Sequence, residues 1–274
     1  MSYGSSEVLG GLLASLPAAC THAYVGVVAD NLGEDPVHTM AVAAGLNYLA
    51  LDNHGYGSAV NSAVNILPDS IEWLVVTNPD VTFRAGAIDL LISAAESDPR
   101  IGDVGPKIFD KNGSVYPSAR AIPSLRNGIG HALFGRFWPS NPWTARYLRY
   151  DLSDATEARS VGWLSGACLL VRKSAFDEVS GFDESYFMYF EDVDLGYRLS
   201  SAGYLNVYHP LAEIVHTGAH STEGESKRMI DEHHKSARLF ISRKYPGRSL
   251  APLRLLLGIG LYLRSLIEQL SNRA

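Results

Sequence analysis

The stretch from Val161 to Gly203 contains the side chains best placed to do chemistry. It opens on the small-residue turn Ser165-Gly166-Ala167 and runs into the apolar strand Cys168-Leu169-Leu170-Val171. It ends with Glu191-Asp192-Val193-Asp194 ahead of a helical pattern (Leu195, Leu199) that stops at Gly203. Asp194 suits an N-cap and Gly203 a C-terminal stop. Asp192 then sits at the positive end of a helix, where the dipole and free N–H groups favour an ionised carboxylate. Such a carboxylate beside a turn of small residues suits a general base acting on a hydroxyl. The alternative is that these acids cap a helix and solvate a loop. A calcium loop fits worse, because the regular oxygen-ligand spacing and its central glycine are absent.

A second acid, Asp80, follows the apolar run Trp73-Leu74-Val75-Val76-Thr77 through Asn78-Pro79. Pro79 fixes the backbone and favours an extended Asn78, so Asp80 projects from a strand end with little freedom. A carboxylate held there suits a hard divalent cation bridging two phosphates, or else the corner of a type I turn. The segment from Asp52 to Asn61, DNHGYGSAVN, is a glycine-bearing turn into a helix that could present N–H groups to an anion. It is not a P-loop and lacks the dinucleotide fingerprint, so a plain strand–helix turn is the other reading. His216 and His220 lie four apart, but zinc would want further ligands at recognisable spacing, and either could be a surface histidine.

The elements that must position these residues alternate between apolar strands and helices. Helices are expected over Ser5–Leu16, stopped by Pro17, and over Val37–Ala44, Ala87–Ser97, Lys227–Lys244 and Pro252–Leu270. Strands are expected over 23–29, ending at Asp30-Asn31, and over 48–51, 73–77, 101–109, 168–171 and 204–208. Lys111-Asn112-Gly113-Ser114 suits a hairpin turn. Pro123–Arg159 has no clean period, and its aromatics, including Trp138 and Trp143, argue against disorder. The pattern predicts an α/β fold with a mostly parallel sheet flanked by helices.

Composition narrows the class. The chain has 274 residues, 46% hydrophobic and 19% charged, enough for a sizeable core. A formal charge of −6 argues against a nucleic-acid partner. Cys20 and Cys168 form no metal or disulfide framework, which fits a reducing, cytoplasmic compartment. The first residues show no basic-plus-apolar leader pattern, and no apolar run is long enough to span a bilayer. From Arg243 onward Glu268 is the only acid among six bases, so the tail is basic on an acidic body. Residues 1–245 therefore read as the catalytic domain. Residues 246–274 read as a basic amphipathic helix that either packs on it or lies at the cytoplasmic face of the plasma membrane, with Trp138 and Trp143 alongside.

Taken in order, VVADN, NHGYGSAVN, TNPDV, the stretch from Trp163 to Leu199 and VHTGAHS resemble the family 2 glycosyltransferases with the GT-A, nucleotide-diphospho-sugar transferase fold. The segments SVYPSAR, FWPSNPW and FMYFEDVDL are further similar to actinobacterial rhamnosyltransferases acting on polyprenyl-diphosphate-linked N-acetylglucosamine. The resemblance implies that Asp30 contacts the nucleotide base and that Asn53, Gly55, Tyr56 and Gly57 lie against the nucleotide. It implies that Asp80, with Asn78 in place of the usual first acid, holds Mg2+ or Mn2+ on the diphosphate. His216 would be a further metal ligand, more compatible with Mn2+. Asp192 would be the base and Glu191 its structural neighbour, and Tyr3, Asn31, Asn61, Ser165 and Gly166 would contact the substrates.

The implied reaction is inverting transfer of L-rhamnose from dTDP-L-rhamnose to the lipid-linked sugar acceptor. A galactofuranosyl, glucosyl or mannosyl donor is the alternative within the class, and a non-catalytic nucleotide-sugar-binding protein the alternative outside it. The family's first apolar strand has only its end here, in Met1-Ser2-Tyr3. An interior strand cannot be dropped cheaply, because its neighbours would face each other with unpaired N–H and C=O groups. A native start upstream is therefore expected.

Overall fold

The computed structural model describes residues 1–124, 138, 140–152, 154–218 and 226–271. His220 lies outside the described residues. The chain opens with α1 (Leu9–Ala19), β1 (Val27–Asp30), α2 (Asp35–Ala43), β2 (Asn47–Ala50) and α3 (Tyr56–Val64). Then follow β3 (Trp73–Thr77), β4 (Val81–Phe83), α4 (Ala87–Glu96) and β5 (Ile101–Phe109). An excursion carries β6 (Val115–Tyr116), β7 (Ala119–Arg120), α5 (Pro142–Leu148), β8 (Arg159–Val161) and β9 (Trp163–Leu164). The chain closes with β10 (Cys168–Arg172), α6 (Lys173–Glu178), α7 (Glu191–Ser201), β11 (Leu205–His216), α8 (Ser226–Lys244) and α9 (Ala251–Ser271).

The main sheet runs β3-β10-β5-β11-β4, with β6 added to β5 and β8 to β11. Among the described residues only β5 and β11 pair in parallel within it; β10 is antiparallel to both β3 and β5, and β4 is antiparallel to β11. The expected mostly parallel sheet is therefore mixed. The physical reason is the excursion after β5, which leaves and re-enters at one sheet edge instead of crossing over through a helix. A strand buried on both faces shows the same apolar run whichever way it points. β10 illustrates this. Cys168 and Leu170 pack on one face with Leu9, Leu91 and Ile214, while Leu169 and Val171 pack on the other with Phe176, Leu195 and Leu199.

That edge is where the chemistry collects. β3 and β11 end there and β10 begins there, with Thr77 opposite Cys168 and His216 opposite Val81. Asn78 donates its N–H to the Ala167 carbonyl at 2.9 Å, joining the two loops directly.

Three local expectations are corrected. Pro17 lies inside α1 rather than ending it. It removes one hydrogen bond in the last turn, which closes three residues later as Cys20 N–H reaches the Leu16 carbonyl. Asp194 is not the N-cap of α7: Phe190 holds that position, and Asp194 lies in the first turn, paired at 2.6 Å with Arg198. The segment 204–208 is part of a longer strand, β11, which passes through Pro210 with an irregular register between His209 and Glu213.

β1 and β2 pair in parallel as a separate two-stranded sheet. An apolar groove of about 440 Å3 runs between β1 and β3, lined by Val28, Leu46, Leu74 and Leu170 among others. Ser2 bridges Asp30 in parallel, and the Met1 amino group donates to the Thr77 carbonyl at 3.2 Å. Met1 and Ser2 thus lie at one end of the groove, where the resemblance puts the end of a strand.

One buried acid plays no part in the edge. Asp103 of β5 is 2% exposed, its Oδ1 has no hydrogen-bond partner among the described residues, and burial holds its carboxyl well above the ordinary range. The folded state therefore binds a proton that the unfolded chain releases near pH 4, and stability falls as pH rises above that value. Asp103→Asn is neutral in both states. It should flatten this decline, raising the melting temperature near pH 8 and hardly at all near pH 4. Equal slopes in the two proteins, followed by calorimetry, would clear Asp103 of the effect.

Candidate active site

A cavity of about 310 Å3 opens at the sheet edge. Its lining includes Tyr3, Asn53, Gly55, Tyr56, Asn78, Asp80, Ser165, Gly166, Glu191, Asp192 and His216. Residues predicted from separate parts of the sequence thus share one wall.

Asp192 is presented by a strained turn. Tyr189 and Phe190, immediately before α7, both take left-handed backbone angles, with φ of 65° and 67°. For residues with a Cβ this costs of order 1–3 kcal/mol each, and it turns the chain sharply into the helix. Asp192 Oδ2 accepts the Gly166 N–H at 3.0 Å, and Oδ1 accepts the Val193 N–H at 2.8 Å. The Tyr56 hydroxyl donates to the Gly166 carbonyl at 2.6 Å, so Gly166 is held at both its N–H and its carbonyl. Ordinary ionisation favoured by the helix end is not what results. Burial dominates and raises the Asp192 carboxyl, against the lowering effects of the two N–H groups and the Arg120 charge. Glu191 is pushed further, to about 8, first by burial and then by the Asp192 charge, and its buried Oε2 has no hydrogen-bond partner among the described residues. Both carboxyls are thus raised, Glu191 the more strongly, and the raised basicity of Asp192 suits proton removal.

The second acid is built differently. Asp80 precedes β4 and lies beside His216 at the end of β11, with Oδ1 to Nε2 at 3.1 Å. Its Oδ2 accepts the Gly218 N–H at 2.9 Å. Burial alone would raise its carboxyl, but the His216 hydrogen bond and charge and the Gly218 N–H outweigh it and the net shift is downward. Asn78 Nδ2 lies 3.2 Å from the same His216 nitrogen. Among the described residues no three His, Cys, Asp or Glu side chains cluster tightly enough to hold a metal alone. An adjacent carboxylate and imidazole on a cavity wall still fit a divalent cation whose other ligands come from a diphosphate and water. The mixed N/O set is more compatible with Mn2+ than with Mg2+.

The glycine turn packs on the strained turn. Gly55 has φ of 105°, and a Cβ there would come within 2.2 Å of the Phe187 carbonyl oxygen, which accepts the Tyr56 N–H. Asn53 Oδ1 accepts both the Gly55 N–H and the Asn31 side chain.

Four predicted site residues do not line the cavity. Asp30 is fully buried, and its carboxylate accepts the N–H groups of Leu32 and Glu34 and the Tyr48 hydroxyl. With its oxygens engaged inside the β1 loop, the expected contact with a nucleotide base has no support in the geometry. Asn31 braces the glycine turn, Asn61 ties α3 to the Phe182 backbone, and Gly57 packs beneath Phe182. These act on the site through its frame. The sequence reading missed Phe187, Met188, Tyr189, Arg228 and Met229, which line the cavity. The aromatic run next to Glu191 was a usable signal for the first three; a helical pattern gave none for the last two.

Comparison with known proteins agrees with this geometry. The model for "Glycosyltransferase like family 2" matches residues 133–233. The chain is 46% identical, over 97% of its length and 90% of the relative's, to N-acetylglucosaminyl-diphospho-decaprenol L-rhamnosyltransferase of Mycobacterium tuberculosis. It is 29% identical to the rhamnosyltransferase WbbL of Escherichia coli, over 89% of this chain and 91% of that one. Among solved structures, the mannosyltransferase PcManGT from Pyrobaculum calidifontis, in complex with GDP-Man and Mn2+, superposes with a TM-score of 0.59 at 14% identity. It covers 96% of this chain and 68% of its own. The fold is thus that of the GT-A glycosyltransferases. A residue pair suited to a metal, a buried basic carboxylate across the same cavity and an extended sequence relationship converge, and the chain belongs to the family 2 glycosyltransferases.

Proposed function

We propose that this protein transfers L-rhamnose from dTDP-L-rhamnose to a polyprenyl-diphosphate-linked N-acetylglucosamine, with inversion at the anomeric carbon. The observation that carries the chemistry is Asp192, held by the Gly166 N–H in the cavity that also contains the Asp80–His216 pair. The substrates come from the relationship to the decaprenol-linked enzyme. In the reaction the acceptor hydroxyl attacks the face of the sugar opposite the departing dTDP. The new C–O bond forms as the old one breaks, the bonding pair leaves with the diphosphate, and the hydroxyl proton passes to Asp192. The hydroxyl becomes acidic only as its oxygen bonds to carbon, so late transfer to a carboxylate is sufficient. Asp80 and His216 would hold Mg2+ or Mn2+, and the bound cation would supply positive charge against the diphosphate. Screening dTDP-rhamnose against galactofuranosyl, glucosyl and mannosyl donors, with a lipid-linked acceptor, tests this reading. Preferred turnover of another donor would change the sugar, and binding without turnover of any would remove the activity.

The same reading includes contact with a membrane surface through α9. No helix among the described residues is long and apolar enough to cross a membrane. Leu255, Leu256, Ile259 and Tyr262 are 67%, 67%, 49% and 56% exposed, and their spacing puts them on one helical face. Trp138 is also 52% exposed. Arg254, counted among the basic tail residues, is used internally and caps the carbonyls of Tyr245 and Gly247. The apolar stripe is therefore the main contact, and burying each leucine in lipid would contribute about 1.5–3 kcal/mol. Replacing Leu255, Leu256 and Ile259 together by Ser should reduce co-sedimentation with anionic vesicles at least tenfold. Turnover of a short, water-soluble acceptor should persist, and unchanged sedimentation would count against the stripe.

A further inference from the structure

One cation joins the acids on the wall of the cavity. Arg228 is the only lysine or arginine among the described residues lining the cavity, which also holds Asp80, Glu191 and Asp192. Its guanidinium carbon lies 5.2 Å from the centroid of the Phe187 ring. Phe187 is the residue whose carbonyl accepts the Tyr56 N–H and abuts Gly55, so Arg228 is stacked on the turn that carries the glycine segment. The helix bearing it is anchored to the same turn farther along. Ser236 Oγ donates to the Met188 carbonyl at 2.9 Å, and Phe240 packs 5.7 Å from Phe190. Arg228 is therefore set at the glycine-turn side of a cavity whose candidate metal pair lies at the ends of β3 and β11.

Charge gives this position a purpose. A nucleoside diphosphate brings further negative charge into a cavity already holding carboxylates, and that charge grows on the leaving oxygen as the sugar departs. One divalent cation on Asp80 and His216 does not neutralise both the protein carboxylate and the diphosphate. A guanidinium matches phosphate oxygens with two parallel N–H donors and stacks on an aromatic ring without losing them.

We propose that Arg228 binds the diphosphate of the donor and of the departing nucleotide, complementing the metal from the glycine-turn side. This rests on the nucleotide-sugar reading of the cavity. Direct contact should make Arg228 matter more for the diphosphate than for the nucleoside, and more as charge develops than in the ground state.

The test is calorimetric titration of the full chain with dTDP and with UDP, in Mn2+, alongside thymidine and uridine. Arg228→Gln should weaken diphosphate binding about 10- to 100-fold and leave nucleoside binding unchanged, in keeping with loss of charge-assisted hydrogen bonds. Arg228→Lys should recover part of the loss, since it keeps the charge but not the fork. Circular dichroism should be unaltered, because Arg228 is exposed and a cation in a first helical turn opposes the dipole. Equal diphosphate affinity in the wild type and Arg228→Gln would overturn the proposal, as would an equal loss of nucleoside and diphosphate binding. If the wild type binds a diphosphate tightly but transfers no sugar, the proposed activity fails while the Arg228 comparison still decides its own question. If it binds neither diphosphate, both readings fall.

Discussion

Asp192→Asn should lower kcat by about two to four orders of magnitude while donor binding survives. The amide keeps the shape of the carboxylate, and its oxygen can still accept the Gly166 N–H at the loss of the weaker local bond from Val193, so the cavity wall is largely preserved. What disappears is the acceptor for the hydroxyl proton. Single-turnover kinetics with saturating acceptor, together with donor titration, separates the two effects. Near-normal turnover would shift the base to a neighbour. Asp194 is a poor substitute, being buried against Arg198 at 2.6 Å and Tyr186 at 3.4 Å. Glu191 is the remaining candidate. In the wild type its carboxyl, pushed to about 8, stays protonated at neutral pH. Glu191→Gln should accordingly cost far less than Asp192→Asn at pH 7.

The second large effect is expected at Asp80. With one carboxylate and one imidazole as the candidate protein ligands, Asp80→Ala leaves a single nitrogen donor, too little to hold a hard divalent cation. Metal-dependent donor binding and turnover should fall together, turnover by at least about a hundredfold, because charge on the leaving diphosphate is then uncompensated. EDTA should abolish activity in the wild type, and added Mn2+ should restore it. Activity that fully resists EDTA would refute the metal assignment, whatever the Asp80 variant does.

Much of the site was legible because its residues sit where strands end, and strand ends are marked by abrupt changes of residue type. Thr77-Asn78-Pro79-Asp80, Ser165-Gly166-Ala167 before Cys168, and the acids before Leu195 all show such a change, and all reach the cavity. Four things were not legible. Strand direction was hidden because burial on both faces gives β10 the same apolar run in either sense. The fate of Asp30 was hidden because a carboxylate at a strand end suits an internal turn as well as a ligand. In this chain Leu32, Glu34 and Tyr48 are close enough to use it. The sign of the Asp192 shift was hidden because a helix end favours the anion while burial opposes it, and only packing decides which wins. Arg228 escaped for a related reason: nothing in a mixed-charge helix says which cation faces a cavity formed by elements far off in sequence.

The most direct measurement of the central claim is the structure of the product. The purified protein, dTDP-L-rhamnose, Mn2+ and a polyprenyl-diphosphate-linked N-acetylglucosamine should yield a disaccharide whose anomeric configuration can be assigned by NMR. Single displacement with Asp192 as base predicts a rhamnosyl linkage of configuration opposite to that of the donor. A product with retained configuration would require a covalent intermediate or front-face attack, and would contradict the role given to Asp192.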